Sequence, residues 1–582
     1  MEAAEPLLGT NSCRSYTSES NKCVSGENFS GVCLYVNNSD SVQDGEASYE
    51  NGQGNSEEED DVRTPLSRIP HLWLIEAALY TNVFLSGFDG TVTASTYQTI
   101  GNEFGHMNLS SWISTSYLIT STSFQPLYGS FSDILGRRWC IFFASIAFAV
   151  GCLGCGISNS IIWLSFMRAV TGVGGGGLIT LSTIVNSDMI PTSKRGLFQA
   201  FQNLVLGLGA ICGASFGGAI TSYLGWRWCF LLQVPISLLG SLIGHFYIRN
   251  QREFERKKLT AVLSTKEILK HIDFLGAIWI IIGLTLQLVY LTLGSATNES
   301  GRTWTSPSLL IILISSCIIL VIFILNEEKT KSRPIIPSAL VKGFFSFLVL
   351  TVSILVGFAS YAYLFTLPLF FQVVLGDSTA KAGLRLAMPS IFTPVGGLIA
   401  GVCMSKFNCL QFLLYVGIAF MFLGNFLFLC IGEDASDWLI GIYLIPANIG
   451  QGITFPSSLF TFIFAFSKVH QATATSTLYL FRSIGSVWGV AGSAGIVQFF
   501  FSRYLESRLK GLLDEKKIIK LITKISSDTS YIKELEDPVR ATVIKSFDVA
   551  TKRVHLFSTL FCLVAFILCI IKDIFKPLAN KL

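Results

Sequence analysis

Long apolar segments recur along almost the whole chain and constrain its fold more than any other feature. Of the 582 residues, 51% are hydrophobic and only 14% are charged. A helix that crosses a bilayer needs about 20 predominantly apolar residues. By this rule the sequence predicts fourteen spans, over residues 73–95, 109–130, 139–157, 161–187, 198–220, 229–248, 273–294, 308–325, 344–366, 382–403, 409–431, 437–465, 475–500 and 554–575. We therefore expect an all-α polytopic membrane protein, with the lipid bilayer as its surroundings.

The first 70 residues differ from the rest. They are rich in Ser, Asn, Gly and acids, as in "NSEEEDD" at 55–61, and contain few large apolar side chains. Such a segment buries too little surface to offset the entropy lost on ordering, so residues 1–70 are predicted to be a disordered acidic tail. The first long apolar segment begins only near Leu72, which argues against a signal peptide and places the tail in the cytosol.

Basic residues between the spans predict the orientation. With a cytosolic N-terminus, most interspan Lys and Arg lie in cytosolic loops, namely Arg137, Arg138, Lys194, Arg195, Arg249, Arg252, Arg256, Lys257, Lys258, Lys266, Lys270, Lys329, Lys331, Arg333, Lys342, Lys406 and Lys468. The opposite short loops carry few, which is the positive-inside pattern. Fourteen spans then put both termini in the cytosol, leaving 501–553 as a long lumenal loop and 576–582 as the cytosolic C-terminus.

The sequence offers little sign of an enzyme, a metal site or a cofactor. The 14 Cys are mostly scattered through apolar segments, and "CLGC" at 152–155 falls inside a predicted span, where two cysteines on a helix face explain it better than a redox motif. The six His lack metal-ligand spacing. We expect no cofactor, no nucleic-acid partner and no catalytic role.

A short loop motif connects the second and third predicted spans. "GSFSDILGRR" contains Gly129, Asp133 and Gly136, followed by the basic pair Arg137 and Arg138. The motif resembles the gating-loop signature of the major facilitator superfamily. A basic turn that merely follows the positive-inside pattern is the simpler alternative.

Two further segments resemble signatures of the same family. "RAVTGVGGGG" at 168–177 in the fourth span begins with an intramembrane arginine, and its glycines suit close helix packing better than dinucleotide binding. "GAICGASFGG" at 209–218 in the fifth span resembles the motif of proton antiporters, through Gly209, Gly213, Gly217 and Gly218. Ala214 stands where that family usually has Pro, so the kink of the family motif is missing.

The fourteen spans, with "GWRWCFLLQVP" at 225–235 and "LPLFFQVVLG" at 367–376, make residues 71–575 similar to the fourteen-span drug:H+ antiporter branch. Within that branch, "SFQPLYGSFSDILGRR" and "YLFRSIGSVWG" at 479–489 most resemble the fungal vacuolar basic amino acid transporters. The resemblance implies a six-helix bundle over 71–248, a loop and two extra helices over 249–343, and a second six-helix bundle over 344–575. Such transporters alternate access by rocking the two bundles around a site near the middle of the membrane.

Asp89, in "FLSGFDGTVT", is the most unusual residue of the first predicted span. Carboxylates are costly at mid-membrane and usually functional there. Asp89 is predicted to be a protonatable group that faces the transport pathway and also attracts a cationic substrate. The alternative is a carboxylate near the interface that caps a helix end against Gly90 and Thr91.

Other polar residues in predicted spans are candidates for proton or substrate binding. Arg168 is the expected counter-charge of Asp89, in a functional or a purely structural pair. Glu76 either serves the site or meets the cytosolic headgroups. Arg482 is a candidate cavity or packing residue, and Arg385 is expected to snorkel from the start of its helix. Four amides, Gln202, Asn203, Asn448 and Gln451, suit either an amino-acid substrate or interhelical hydrogen bonds.

Three hypotheses of function follow. The first is a monomeric antiporter that moves basic amino acids (Lys, Arg, His) into the vacuole in exchange for protons. The second is an exporter of drugs or toxic cations at the plasma membrane, and the third is a sensor that has lost transport. "EAAEPLLG" at 2–9 resembles an acidic dileucine sorting signal, and glycosylation sequons begin at Asn108 and Asn298 on the predicted lumenal side.

Overall fold

The structure, a computed structural model, is helical and describes most of the chain beyond the predicted tail. It describes residues 71–104, 111–248, 273–295, 306–330, 332, 334–377, 379–407, 409–432, 436–467, 470–510, 515–527 and 529–579. No β-strand occurs within these ranges. The predicted tail, the predicted sorting signal, both sequons and residues 580–582 lie outside them.

Helices occupy each segment in which a span is predicted. In chain order they are α1 (Leu72–Glu103), α2 (Ser111–Leu135), α3 (Arg137–Gly156), α4 (Ile161–Met189), α5 (Thr192–Tyr223), α6 (Arg227–Leu231 and Gln233–Tyr247), α7 (Phe274–Ser295), α8 (Pro307–Lys329), α9 (Phe344–Leu369), α10 (Thr379–Ser390 and Phe392–Phe407), α11 (Leu410–Phe428), α12 (Asp437–Ile463), α13 (Gln471–Leu509) and α14 (Asp537–Ala579). A helix of four residues, Ser338–Val341, precedes α9, and a π-helical turn, Phe370–Val374, continues it.

Twelve of these helices, among the residues described, are long and apolar enough to cross a membrane. The two that do not meet this criterion are α1 and α2. The helix α1 includes the carboxylates Glu76, Asp89 and Glu103, and α2 is rich in Ser and Thr. The protein is therefore an all-α multi-pass membrane protein, while the count of fourteen spans stays a prediction.

Several helices differ in their bounds from the predicted spans. The helix α1 runs to Glu103, eight residues beyond the predicted end at 95. Two prolines, Pro446 and Pro456, lie inside α12 without interrupting it, whereas α10 is broken near Pro389. Proline removes a backbone donor and so weakens a helix, but neighbouring helices in a membrane protein can satisfy the freed groups.

The helices pack in two groups that meet at a few pairs of helices. In the first group α1 packs on α5, α2 on α4, and α3 on α4 and α6. In the second, α9 packs on α13 and α14, α11 on α12 and α14, and α10 on α12. The groups meet where α2 contacts α13 and where α5 contacts α10, while α7 contacts both α2 and α13. The helix α7 therefore lies along one of these two seams, and α8 packs on α7.

The predicted lumenal loop 501–553 is largely helical. It contains the end of α13, a helix over Glu515–Ser527, a 3₁₀ turn over Thr529–Glu534 and the start of α14. Apolar residues from all four parts are buried in one cluster, including Phe501, Ile518, Ile532 and Phe547. This shared burial explains why the segment forms a packed extension of the second group and not an open loop.

The two cysteines of "CLGC" are buried in a helix, as expected if they serve helix packing. Cys152 and Cys155 are buried in α3, and both are free thiols. Cys155 lies 3.9 Å from the Thr171 hydroxyl of α4.

Candidate transport site

A buried ion pair links α1 to α4. Nη1 of Arg168 lies 2.7 Å and 2.8 Å from the two carboxylate oxygens of Asp89. The side chains are 1% and 0% exposed, respectively. Nε of Arg168 also donates to the backbone carbonyl of Ile113 at 3.2 Å, which adds α2 to the contact. The arginine therefore links α4 to α1 and α2, and among the residues described its charge is compensated by a single carboxylate.

Aromatic and amide side chains complete the shell around this pair. The guanidinium of Arg168 lies 4.5 Å from the ring centroid of Tyr117 and 5.6 Å from that of Phe230. Nε2 of Gln233 lies 3.5 Å from Oδ1 of Asp89 and donates to the Cys229 carbonyl at 2.9 Å. The sequence analysis missed Tyr117 and Gln233. Gln233 is the polar residue within "WCFLLQVP", which was its available signal.

The location of Asp89 bears on both sequence interpretations. The helix α1 continues to Glu103, so Asp89 lies well inside the helix and does not cap its end. The carboxylate is also fully enclosed, so in this conformation it does not face an open pathway. A proton reaches Asp89 only if the surrounding helices move.

Glycines bring α1 and α5 into backbone contact beside Asp89. A Cβ atom at Gly209 would collide with the Phe84 carbonyl, and one at Gly213 would collide with the Phe88 carbonyl. In the other direction, a Cβ at Gly87 would collide with the carbonyl of Leu206. Only glycine permits so close an approach, as in small-residue helix interfaces of membranes.

The other two glycines of the antiporter-like motif have different surroundings. Gly217 is buried, and its carbonyl accepts hydrogen bonds from Thr221 at 2.7 Å and from the Cys229 thiol at 3.6 Å. A Cβ atom at Gly218 would meet nothing within 4 Å. The close helix contact therefore rests on Gly209 and Gly213.

The loop motif between α2 and α3 is a compact ionic turn. Nη2 of Arg137 pairs with Asp133 at 2.8 Å, and Nε pairs with Asp188 of α4 at 2.8 Å. Nη1 also donates to the Ser132 hydroxyl at 2.5 Å. Gly136 has a φ of 94°, a left-handed conformation that favours glycine. Arg137 thus ties the end of α2 to the end of α4.

The same end of α2 contacts the second group of helices. A Cβ at Gly129 would collide with the Ser476 side chain of α13. Nearby, Nη1 of Arg195 lies 3.4 Å from Oε1 of Gln471. The two groups therefore touch on the side that carries the loop motif. Arg138, the second basic residue of the motif, is partly buried at the start of α3.

Replacing Arg137 by Ala is expected to reduce transport by about tenfold and to lower the melting temperature of the purified protein. The substitution removes the ion pair between Arg137 and the Asp133 side chain, which is 1% exposed, and breaking a buried pair is costly. Asp188→Asn is the matched control, because that side chain is 23% exposed and its loss should cost less. Equal effects of the two substitutions would contradict this assignment.

Polar side chains also bridge the two groups further along α13. The Tyr479 hydroxyl lies 3.0 Å from that of Thr183 on α4, and Thr183 donates to Oε1 of Gln202 at 3.2 Å. The guanidinium of Arg482 lies 4.2 Å from the Tyr479 ring centroid and 4.6 Å from that of Phe455. Thr183 and Tyr479 were not identified from the sequence, since a lone Thr or Tyr in a span has no distinguishing pattern.

The remaining candidates are separated from this centre or bonded elsewhere. Asn203 accepts a hydrogen bond from Gln199 at 3.3 Å. Asn448 donates to the Tyr363 hydroxyl at 2.9 Å and accepts from Thr393 at 3.1 Å, which makes it an interhelical link. Gln451 is partly buried.

Two charged candidates lie in surroundings that differ from their simplest interpretation. Glu76 is 1% exposed, so protein encloses it and it is not a surface group near the headgroups. Arg385 does not snorkel, because it pairs with Asp377 at 2.5 Å and with Asp437 at 2.6 Å. The pair with Asp437 holds α10 to the start of α12, and the pair with Asp377 holds α10 to the segment that precedes it.

An exposed ionic contact joins the end of α1 to the start of α6. Glu103 accepts hydrogen bonds from the Trp226 indole at 2.6 Å and from Nη1 of Arg227 at 2.7 Å. Nη2 of Arg227 donates to the Ser158 carbonyl at 3.3 Å. Burial raises the pKa of Glu103, but the hydrogen bonds from Arg227 and Trp226 together lower it below its ordinary value of 4.5.

The Glu103→Gln variant is expected to melt at a lower temperature than the wild type at neutral pH. Because the pKa of Glu103 is depressed in the folded protein, its stabilising contribution is present above about pH 4.5 and is lost only as pH falls further, through the folded-state pKa. The melting temperatures of the wild type and of Glu103→Gln, measured from pH 7 to pH 3, should therefore differ at pH 7 and at pH 5. They should converge as the pH approaches 3. A difference that vanishes by pH 6 would contradict the assignment.

Comparison with known proteins defines the family. The Major Facilitator Superfamily profile matches residues 79–490. The "Vacuolar basic amino acid transporter 2" of Saccharomyces cerevisiae is 66% identical over 476 residues, which are 82% of this chain and 100% of that protein. The "Multidrug resistance protein fnx1" of Schizosaccharomyces pombe is 35% identical over 498 residues, 85% of this chain and 90% of that protein.

A solved structure agrees with the fold. The proton:xylose symporter XylE superposes with a TM-score of 0.52 at 15% identity, over 80% of this chain and 95% of that one. By the profile match and the 66% identity, the chain belongs to the major facilitator superfamily and is a membrane transporter, not an enzyme.

Proposed function

We propose that this protein is a proton-coupled antiporter that moves basic amino acids (Lys, Arg, His) from the cytosol into the vacuole. In this proposal it works as a monomer in the vacuolar membrane, with both termini in the cytosol and with protons and a cationic small molecule as its two ligands. The 66% identity to a protein named as a vacuolar basic amino acid transporter supports the substrate and the location. The buried Asp89–Arg168 pair is the observation that carries the coupling.

The pair is suited to couple proton binding to movement. A buried charge without a counter-ion is strongly unfavourable in a low-dielectric interior. Protonation neutralises Asp89, whose carboxylate is the only one that pairs with Arg168 among the residues described. The positive charge of Arg168 then has no counter-charge in this pair. The helices around Arg168 must then rearrange to solvate or re-pair it. Proton binding and a change of conformation are therefore linked through one ion pair.

The contacts on the loop-motif side supply a gate. The family alternates access by rocking two bundles about a central site. Opening the cytosolic side requires separation of Gly129 from Ser476, of Arg195 from Gln471, and of Thr183 from Tyr479. The first two contacts adjoin the ionic turn of Arg137, so the motif holds the helix ends that form the gate.

Uptake into vacuolar vesicles tests the function directly. Vesicles energised with ATP, from cells with and without the protein, are given labelled Lys, Arg or His. The proposal predicts protein-dependent accumulation that a protonophore abolishes. If none of the three substrates accumulates and the cells instead show altered drug tolerance, the multidrug exporter is the better account.

That second candidate rests on a specific observation, the 35% identity to a protein named for multidrug resistance. An exporter of this kind at the plasma membrane would share the fold, the ion pair and the gate. Labelled cationic drug is therefore included in the same vesicle assay. Drug accumulation without any Lys, Arg or His accumulation would favour this alternative.

A further inference from the structure

Arg482 stands out among the charged residues between the two helix groups. Its side chain is partly buried on α13, within the long apolar stretch that is predicted to cross the membrane. Within the part of the chain that the structure describes, no carboxylate lies within 4.0 Å of it. Arg168 has Asp89 and Arg385 has Asp377. Arg482 differs from them because its nearest stabilising partners are aromatic rings.

The surroundings of Arg482 fix its position between the groups. Its guanidinium lies over the rings of Tyr479 and of Phe455 on α12. The Tyr479 hydroxyl in turn reaches Thr183 of α4, across the boundary between the groups. On the remaining side, a Cβ at Gly357 of α9 would lie 2.5 Å from the Arg482 carbonyl, so α9 is held close. The guanidinium therefore sits beside the contact at which the two groups meet.

A positive charge in this position conflicts with transport of a simple cation. It would repel a drug cation or a polyamine that passed between the groups. A basic amino acid differs from these molecules because it also carries an α-carboxylate. Arginine presents a planar fork of donors that matches a carboxylate in two parallel hydrogen bonds. A cation–π contact with an aromatic ring holds the guanidinium without occupying its N–H donors.

We propose that Arg482 binds the α-carboxylate of the amino-acid substrate. The inference rests on the proposed function and adds to it a way of telling amino acids from other cations. The cationic side chain of the substrate is then recognised elsewhere, and Arg482 binds the α-carboxylate that lysine, arginine and histidine share. Tyr479 places the guanidinium and also bonds to Thr183, so substrate binding at Arg482 is connected to the contact between the groups.

Binding of three related molecules to the purified full-length protein tests the inference. Lysine has the carboxylate, lysinamide replaces it with a neutral amide, and cadaverine lacks it altogether. Affinities are obtained from the ligand-dependent rise in melting temperature of wild type, Arg482→Gln, Arg482→Lys and the control Arg503→Gln. Arg503 is exposed on the same helix, and its guanidinium also lies near a ring, that of Phe499.

We expect the wild type to bind lysine about tenfold to a hundredfold more tightly than lysinamide or cadaverine. In Arg482→Gln the dissociation constant for lysine should rise by that factor, while those for the two analogues change less than about twofold. Arg482→Lys keeps a positive charge without the planar fork, so it should retain part of the preference. Arg503→Gln should match the wild type.

Other outcomes separate the two proposals. Equal wild-type affinity for lysine and lysinamide, together with lysine uptake in vesicles, would overturn the role of Arg482 and leave the proposed function standing. A proportional loss for all three ligands in Arg482→Gln would also overturn it, as would a full loss of ligand preference in Arg503→Gln. If Arg482→Gln does not fold, Arg482→Lys decides the question: a preference for lysine over lysinamide smaller than that of the wild type supports the role, and an unchanged preference overturns it. Absence of lysine uptake by the wild type in vesicles would instead refute the proposed function.

Discussion

Replacing Asp89 by Asn is expected to abolish proton-driven lysine uptake and also to destabilise the protein. Asparagine is close in size to aspartate, but its side chain carries no charge and does not ionise at physiological pH. The variant leaves the fully buried Arg168 without its carboxylate, and removal of one partner of a buried pair costs about 3 to 5 kcal/mol. Uptake into energised vesicles, normalised to the amount of protein, measures the first effect, and the melting temperature measures the second.

The double variant Asp89→Asn with Arg168→Gln separates these two effects. It removes both charges together, so most of the lost stability should return, because replacing a whole buried pair is far less costly than breaking it. Proton-driven uptake should stay absent, since the proton site is gone. Wild-type uptake in Asp89→Asn would assign the pair a purely structural role. A double variant no more stable than the single one would show that the charge of Arg168 is not what Asp89 compensates.

Replacing Gly209 by Leu is expected to have the second largest effect, a loss of folded protein. A side chain at this position would collide with the Phe84 carbonyl, and backbone cannot rotate away as a side chain can. Overpacking of this kind typically costs about 1 to 3 kcal/mol and more where backbone must shift. Such a loss is enough to reduce cellular abundance several-fold. Fluorescence-detected size-exclusion chromatography of tagged protein measures the folded fraction.

Gly218→Leu provides a matched control from the same motif and the same helix. A Cβ there meets nothing within 4 Å, so folded protein should remain close to the wild-type amount. Equal losses from Gly209→Leu and Gly218→Leu would contradict the close contact between α1 and α5. Gly209→Ala should fall between Gly209→Leu and the wild type, because the collision involves only a single methyl group.

The sequence predicted the two charges of the central ion pair, for a clear physical reason. A charge in an apolar segment is costly, so both Asp89 and Arg168 stood out and each required a partner. The helix-capping interpretation of Asp89 failed because apolar length was used to end the first span at 95, whereas α1 continues to Glu103. Hydropathy indicates which part of a helix lies in lipid. It does not indicate where the backbone hydrogen bonds of the helix end.

The contacts between the two helix groups could not be read from the sequence. Thr183 and Tyr479 are ordinary residues for a membrane helix, and 296 positions separate them. Their hydrogen bond depends on how the groups pack, which no local pattern encodes. Arg482 was recognised as a candidate through its charge, but its aromatic neighbours lie on two helices and appear only in the fold. The helical extension over 501–553 was missed because its apolar residues are interspersed with charges.

The most direct test of the central claim is a pH-jump experiment with purified protein in liposomes. Liposomes that hold an acidic buffer and face a neutral medium are given labelled lysine outside. Antiport through Asp89 predicts lysine accumulation above the external concentration, matched by proton release from the lumen, and neither in Asp89→Asn. Lysine entry that only equilibrates, and that is the same with and without the pH gradient, would contradict proton-coupled antiport.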